Sequence, residues 1–221
     1  MRPFFALPET RWDQPAGKLH LYIVAPDPVR ELAAKYHEVM HAHGDLVSLQ
    51  PLEWLHMTVQ MLQAYTSRGA ARTGLMDEES LQHRLRTELG GFEPFDVTVG
   101  PAVVGVHAVS LWSPPPAAAF TELVARCRAA VGNAFGEQVL AGPPKQPHIT
   151  IGYGRTAGDS DALIRSVKDV WAAPVTFTVP AVELVAVTQD PVEGRYSWSR
   201  LDHIELPPAG NAARAAGPLP R

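Results

Sequence analysis

One order of elements occurs twice in this chain: an apolar strand, an amphipathic helix, then a second strand carrying a His-x-Thr triplet. The first copy runs from the apolar stretch at 19–25, through a helical pattern at 28–43, to Leu55-His56-Met57-Thr58-Val59. The second runs from a strand or hairpin at 103–112, through a helix at 117–135, to Pro147-His148-Ile149-Thr150-Ile151. Side chains two apart on a strand share a face. His56 and Thr58 are therefore neighbours on one face, as are His148 and Thr150, while Met57, Val59, Ile149 and Ile151 turn to the packed side. The gap between the histidines is too long for a solenoid repeat and suits two similar lobes about an approximate twofold, both polar edges facing one cleft.

The remaining pattern extends this arrangement. A Gly/Ser/Arg loop follows the first His-x-Thr strand, then a helix over 78–89 and a strand near 95–99. After the second come a helix over 161–171 and strands at 175–179, 182–188 and 196–206. Asp27 is placed to cap the first helix and Gly44 to end it. We expect an irregular segment at 1–17, a single bilobal domain at 18–206, and a disordered tail at 207–221, rich in Pro, Ala and Gly.

At 221 residues and 46% hydrophobic, the chain can bury one core shared by two lobes. Its formal net charge of −4 argues against extended nucleic-acid binding through phosphate neutralisation. No stretch reads as a leader or a membrane span, so a cytoplasmic monomer without membrane contact is expected. Cys127, the one cysteine, falls in a helical pattern and reads as a small buried hydrophobe.

Two facing His-x-Thr edges suit in-line displacement at a phosphodiester. One neutral histidine takes a proton from the attacking oxygen while the other, protonated, gives one to the departing oxygen. An unperturbed pKa of about 6.5 fits histidine to both roles. Threonine hydroxyls can donate to the non-bridging oxygens. Such a set calls for no metal and no cofactor.

His56-Met57-Thr58-Val59 and His148-Ile149-Thr150-Ile151 resemble the paired H-x-[ST]-x signatures of the 2H phosphoesterase superfamily, especially its 2′-5′ RNA ligase-like and cyclic phosphodiesterase branch. The opening strand and helix, the Trp54-Leu55-His56 approach and Gly194-Arg195-Tyr196 before a last strand resemble that family too, over about residues 18–206. The resemblance implies a bilobal α+β fold with two antiparallel sheets around a central cleft and outer helices. It implies metal-free action on 2′,3′-cyclic or 2′-5′-linked phosphate of a small nucleotide or RNA end. The matched positions make His56 and His148 the acid–base pair, with His148 expected as base and His56 as acid, and Thr58 and Thr150 the phosphate ligands. Tyr153 matches an aromatic of some members, placed to bind phosphate or stack on a base. Arg155 is the nearest counterpart of a basic residue that ligase-like members carry there. Lys145 and Tyr196 complete the expected substrate-binding set, and each of these flanking groups, like Arg195, either lines the cleft or stands in solvent. Two departures concern substrate choice: an added amino-terminal segment containing Trp12, and Gln60-Met61-Leu62 where many relatives have an aromatic and a glycine.

Other readings compete. His37-Glu38-Val39-Met40-His41 is a formal H-E-x-x-H, which on a helix can offer two imidazoles to zinc with Glu38 acting on its water. Val47 stands where a third histidine would complete the longer motif, and His37 and His41 fall on the helix face away from the apolar stripe, where histidines are ordinarily solvated. His20, in the first strand, either faces the cleft or, the reading preferred, is a packed or edge residue, and His83, His107 and His203 read as surface residues. A cleft of this kind can also bind a nucleotide or RNA end without turning it over.

Overall fold

The computed structural model describes residues 1–8, 10–66, 78–144 and 146–207. The Gly/Ser/Arg loop, Lys145 and the expected tail after Pro207 lie outside the described residues. The elements are β1 (Lys18–Val24), α1 (Asp27–Met40), β2 (Val47–Leu49), β3 (His56–Tyr65), α2 (Glu78–Leu89), β4 (Phe95–Val99), β5 (Ala102–Val104), β6 (Ala108–Trp112), α3 (Ala118–Phe135), β7 (His148–Gly154), α4 (Asp161–Lys168), β8 (Val175–Val179), β9 (Ala181–Asp190) and β10 (Arg195–Glu205).

The fold is α+β with antiparallel pairing throughout, as expected. Eight strands form one sheet in the order β10-β9-β1-β3-β7-β6-β5, with β2 added beside β7, and β4 pairs with β8 in a second, smaller sheet. The large sheet reads as two halves of like topology. In one, β1 lies between β9 and β3; in the other, β6 lies between β5 and β7. β3 and β7 join the halves where Met57 stands opposite Ile149, and a further bridge links Leu62 to Leu140. β3 and β7 therefore stand side by side at the centre of the approximate twofold, each beginning with its histidine.

Strand pleat decides which side chains see the cleft. Leu19, Leu21 and Ile23 of β1, Met57 and Val59 of β3, and Ile149 and Ile151 of β7 are wholly buried on the helix-covered face. Burying each such side chain contributes about 1.5–3 kcal/mol. That burial fixes the register, since a slip by one residue would turn this set to water. The alternate positions, His20, Tyr22, His56, Thr58, His148 and Thr150, line a cavity on the other face.

Each long helix covers the half it does not follow. α1 leaves β1 but packs beside α4 and β2, and His37 Nε2 lies 2.8 Å from the Ile151 carbonyl of β7. α3 leaves β6 but packs on β3 and α2, and its Arg128 donates to Gln60 Oε1 at 2.7 Å. This exchange closes one continuous core from both halves.

Several local expectations are corrected. Asp27 is the first residue of α1, not its cap; Pro26 holds the cap position, and the Asp27 carboxylate takes Arg30 at 2.9 Å instead. The helix stops at Met40, and His41–His43 form one 3₁₀ turn. α4 ends at Lys168, leaving Trp171 almost fully exposed. β2 has no counterpart among the expected strands, because three residues give too short an alternation to read. Cys127 is buried, as expected. Among the described residues, no helix is long and apolar enough to cross a membrane.

Candidate active site

His56 and His148 each open a central strand, and each ring is held in the same way. Nδ1 of His56 lies 2.8 Å from the carbonyl of Trp54, and Nδ1 of His148 lies 3.0 Å from that of Gln146. A carbonyl can only accept, so Nδ1 carries the proton in both rings and Nε2 is left free for chemistry. An aromatic ring from the neighbouring strand backs each imidazole. Tyr22 of β1 stacks on His56 at 3.7 Å and 11°, and Trp112 of β6 stacks on His148 at 4.5 Å and 28°.

The threonines follow their histidines onto the same cavity wall. Thr58 stands opposite Tyr22 in the β1–β3 register. Thr150 stands opposite Ser110, and the two hydroxyls are 3.2 Å apart. The cavity measures about 450 Å³ and contains both His-x-Thr pairs together with Tyr153 and Tyr196. That is within the size range of pockets that hold a small organic ligand.

Burial sets the charge state of the first imidazole. The protein around His56 disfavours its cation and lowers its pKa to about 4, against a hydrogen bond to Trp54 that works the other way; the nearby His148 lowers it further. His20 is held lower still, at about 3, first by burial and then by the neighbouring His56 and Lys18 charges, with the bond to the Lys18 carbonyl opposing. Both rings are neutral at pH 7. The hydroxyl of Tyr153 is raised well above its usual range by burial and by Tyr196, although its contact with Thr150 acts in the opposite direction.

The flanking residues separate into three groups. Tyr153 and Tyr196 line the cavity, but Tyr153 is buried beneath Phe4 and Phe5, with ring centroids 4.8 Å and 5.1 Å away. Arg155 is exposed beyond the end of β7 and is not part of the lining; its backbone N–H donates to Leu46. Lys145 lies outside the described residues. Arg195 sits 5.8 Å over the ring of Trp54.

The structure brings into the cleft residues that the sequence reading left out. His107, in the turn between β5 and β6, lines the cavity, correcting its surface reading, and His20 lines it while being packed as well, at 3% exposed. The cleft alternative for His20 is the one its strand parity supports, shared with Tyr22 and opposed to that of Leu19 and Leu21. Phe4, Thr10 and Trp12 also form part of the wall, from a segment read as irregular.

The H-E-x-x-H helix is accounted for without a ligand. His37 is not solvated as expected but 9% exposed, with Nε2 spent on the Ile151 carbonyl, while His41 faces solvent. The reason is the company of Ala33, Tyr36 and Met40, which turn that edge of α1 toward β7. Among the described residues no group of three or more His, Cys, Asp or Glu is arranged to hold a metal ion.

Comparison with known proteins agrees with this layout. A family model described as the 2′-5′ RNA ligase superfamily matches residues 25–191. No curated protein sequence matches. Among solved structures, TT0787 of Thermus thermophilus is similar with a TM-score of 0.59 and 19% identity, over 87% of this chain and 99% of that one. LigT of E. coli, complexed with 3′-AMP, is similar with a TM-score of 0.58 and 18% identity, over 86% of this chain and 98% of its own. LigT complexed with ATP gives a TM-score of 0.54 at 17% identity, over 86% and 98%.

Proposed function

Because the chain belongs to the 2′-5′ RNA ligase superfamily and is an enzyme of the phosphoesterase type, we propose that it opens the 2′,3′-cyclic phosphate of a nucleotide or RNA end by two-histidine acid–base catalysis. The observation that carries the reading is the matched pair of imidazoles, each with Nδ1 tied to backbone and a threonine beside it, on the wall of one cavity. That LigT is known in complex with 3′-AMP and with ATP supports a ligand of nucleotide size.

In the proposed reaction, His56 acts as base and His148 as acid, the reverse of the sequence expectation. The support is that burial keeps His56 neutral, ready to accept a proton. His56 Nε2 removes a proton from water as the water oxygen bonds to phosphorus. The bond from phosphorus to one ribose oxygen breaks in line, and His148 gives its proton to that oxygen. Thr58 and Thr150 donate to the non-bridging oxygens, whose charge is redistributed during displacement. The product is a nucleoside monophosphate, and the imidazoles reset through solvent. Joining or cleaving a 2′-5′ link uses the same groups with a ribose hydroxyl in place of water.

The test is turnover of adenosine 2′,3′-cyclic phosphate and of a 2′-5′ dinucleotide in excess EDTA. Persistent activity, reduced about 10²–10⁴-fold by His56→Ala and by His148→Ala, is the expected result. Activity that vanishes on chelation, or either variant turning over like the parent, would overturn the mechanism. Nucleotide binding without turnover by the parent would make the cleft a sensor.

A further inference from the structure

The amino-terminal segment lies outside the residues that match the family, yet it is built into the cleft. One buried side chain of β9, Gln189, secures it. Its Nε2 donates to the Thr10 carbonyl at 2.8 Å and to Tyr196 Oη at 3.0 Å, and its Oε1 accepts from the Trp12 N–H at 3.3 Å. The Gln189 N–H also donates to Pro15 at 2.6 Å. At the other end, the Phe4 N–H donates to Gly154 at 2.8 Å, and the Thr10 hydroxyl closes back on the Phe4 carbonyl at 2.6 Å. A strap tied at so many points holds its side chains in place.

What it holds is an aromatic wall. Trp12 stacks on His20 at 5.4 Å and 29°, His20 is 5.2 Å from Tyr22, and Tyr22 lies against His56. A run of rings thus leads from the strap to the reacting imidazole. Tyr196 flanks Trp12 at 5.3 Å. Nδ1 of His20 donates to the Lys18 carbonyl at 3.2 Å, so Nε2 offers a hydrogen-bond acceptor in the same wall.

Lys18 Nζ lies 4.9 Å over the Trp12 ring but is not one of the residues that line the cavity, and the lining face of the wall is aromatic. It suits a planar heteroaromatic ring carrying N–H donors, held by dispersion and stacking against aromatic partners. We infer that the strap is a base-recognition wall, in which Trp12 packs against the substrate's nucleobase and His20 Nε2 accepts from a base N–H. The wall lies beside the imidazoles, and the inference rests on the phosphodiesterase reading for where the phosphate sits. Base recognition then comes from residues that precede the stretch matched by the family model.

The experiment compares adenosine 2′,3′-cyclic phosphate with 1-O-methylribose 2,3-cyclic phosphate, which has the same reacting group and no base. The parent is expected to prefer the base-bearing substrate in kcat/KM. Trp12→Ala should reduce that preference about 5- to 150-fold, the range of one lost base–aromatic stack, through KM and not kcat. Trp12→Phe should restore most of it, which separates a lost contact from a misfolded strap. An unchanged preference in Trp12→Ala, an equal loss on both substrates, or a parent without preference would overturn the inference. A parent that turns over neither substrate would sink the phosphodiesterase reading; adenosine monophosphate against ribose phosphate, read as binding, then tests the wall separately.

Discussion

At the scale of single residues, the roles of the two imidazoles can be told apart by the leaving group. A nucleoside 4-nitrophenyl phosphodiester expels an oxygen that needs no proton. On it, His148→Ala should stay within about tenfold of the parent, while His56→Ala should still lose about 10²–10⁴-fold. Equal losses would remove the assignment of base and acid. The charge state of His56 makes a second prediction. A base works only when deprotonated, and burial lowers this one from 6.5 to about 4. The acid limb of kcat/KM, which reports the free enzyme, should therefore lie near pH 4, with activity kept above it and lost below; a limb near pH 6.5 would contradict the buried, neutral ring. The four His-x-Thr positions were legible in sequence because strand alternation is local. His37 was not, since what makes it buried is a carbonyl of Ile151, a partner remote in sequence.

Among elements, the strap and β7 depend on each other. A Cβ at Gly154 would run into the Arg2 carbonyl, so only glycine lets the amino-terminal segment lie this close to the strand. Gly154→Val is expected to displace the strap while leaving Met57 and Ile149 paired. Tryptophan fluorescence should then shift red as Trp12 meets water, and a spectrum like the parent's would show that the strap is anchored elsewhere. The strands and helices themselves were legible from apolar periodicity, with ends misplaced by a few residues. The strap was not, because Phe4, Thr10 and Trp12 show no period. Their meaning comes from Gln189 and Gly154, which only the folded chain brings near.

For the whole molecule, the exchanged helices make the halves inseparable. Residues 1–105 alone would keep β3 and α2 but lose α3, whose Leu123, Cys127 and Val131 are buried in the shared core. Each uncovered apolar face then favours aggregation over folding. Fragments 1–105 and 106–207, which divide both halves because β9 and β10 fall in the second fragment and β5 in the first, are expected to lack cooperative unfolding by themselves and to regain it when mixed; a fragment that unfolds cooperatively alone would show that it holds a core without the other's strands and helices. The twofold plan was readable from the repeated order of elements, but this exchange was not, because periodicity says which face a helix buries and not against which strand. The pairing of β1 with β9 has a consequence for biosynthesis. Lys18 cannot meet Val187 until nearly all of the sheet has left the ribosome, and contacts so distant in sequence make for slow folding. β1 must therefore wait with one edge open, and chaperones that shield exposed strands have their longest opportunity there.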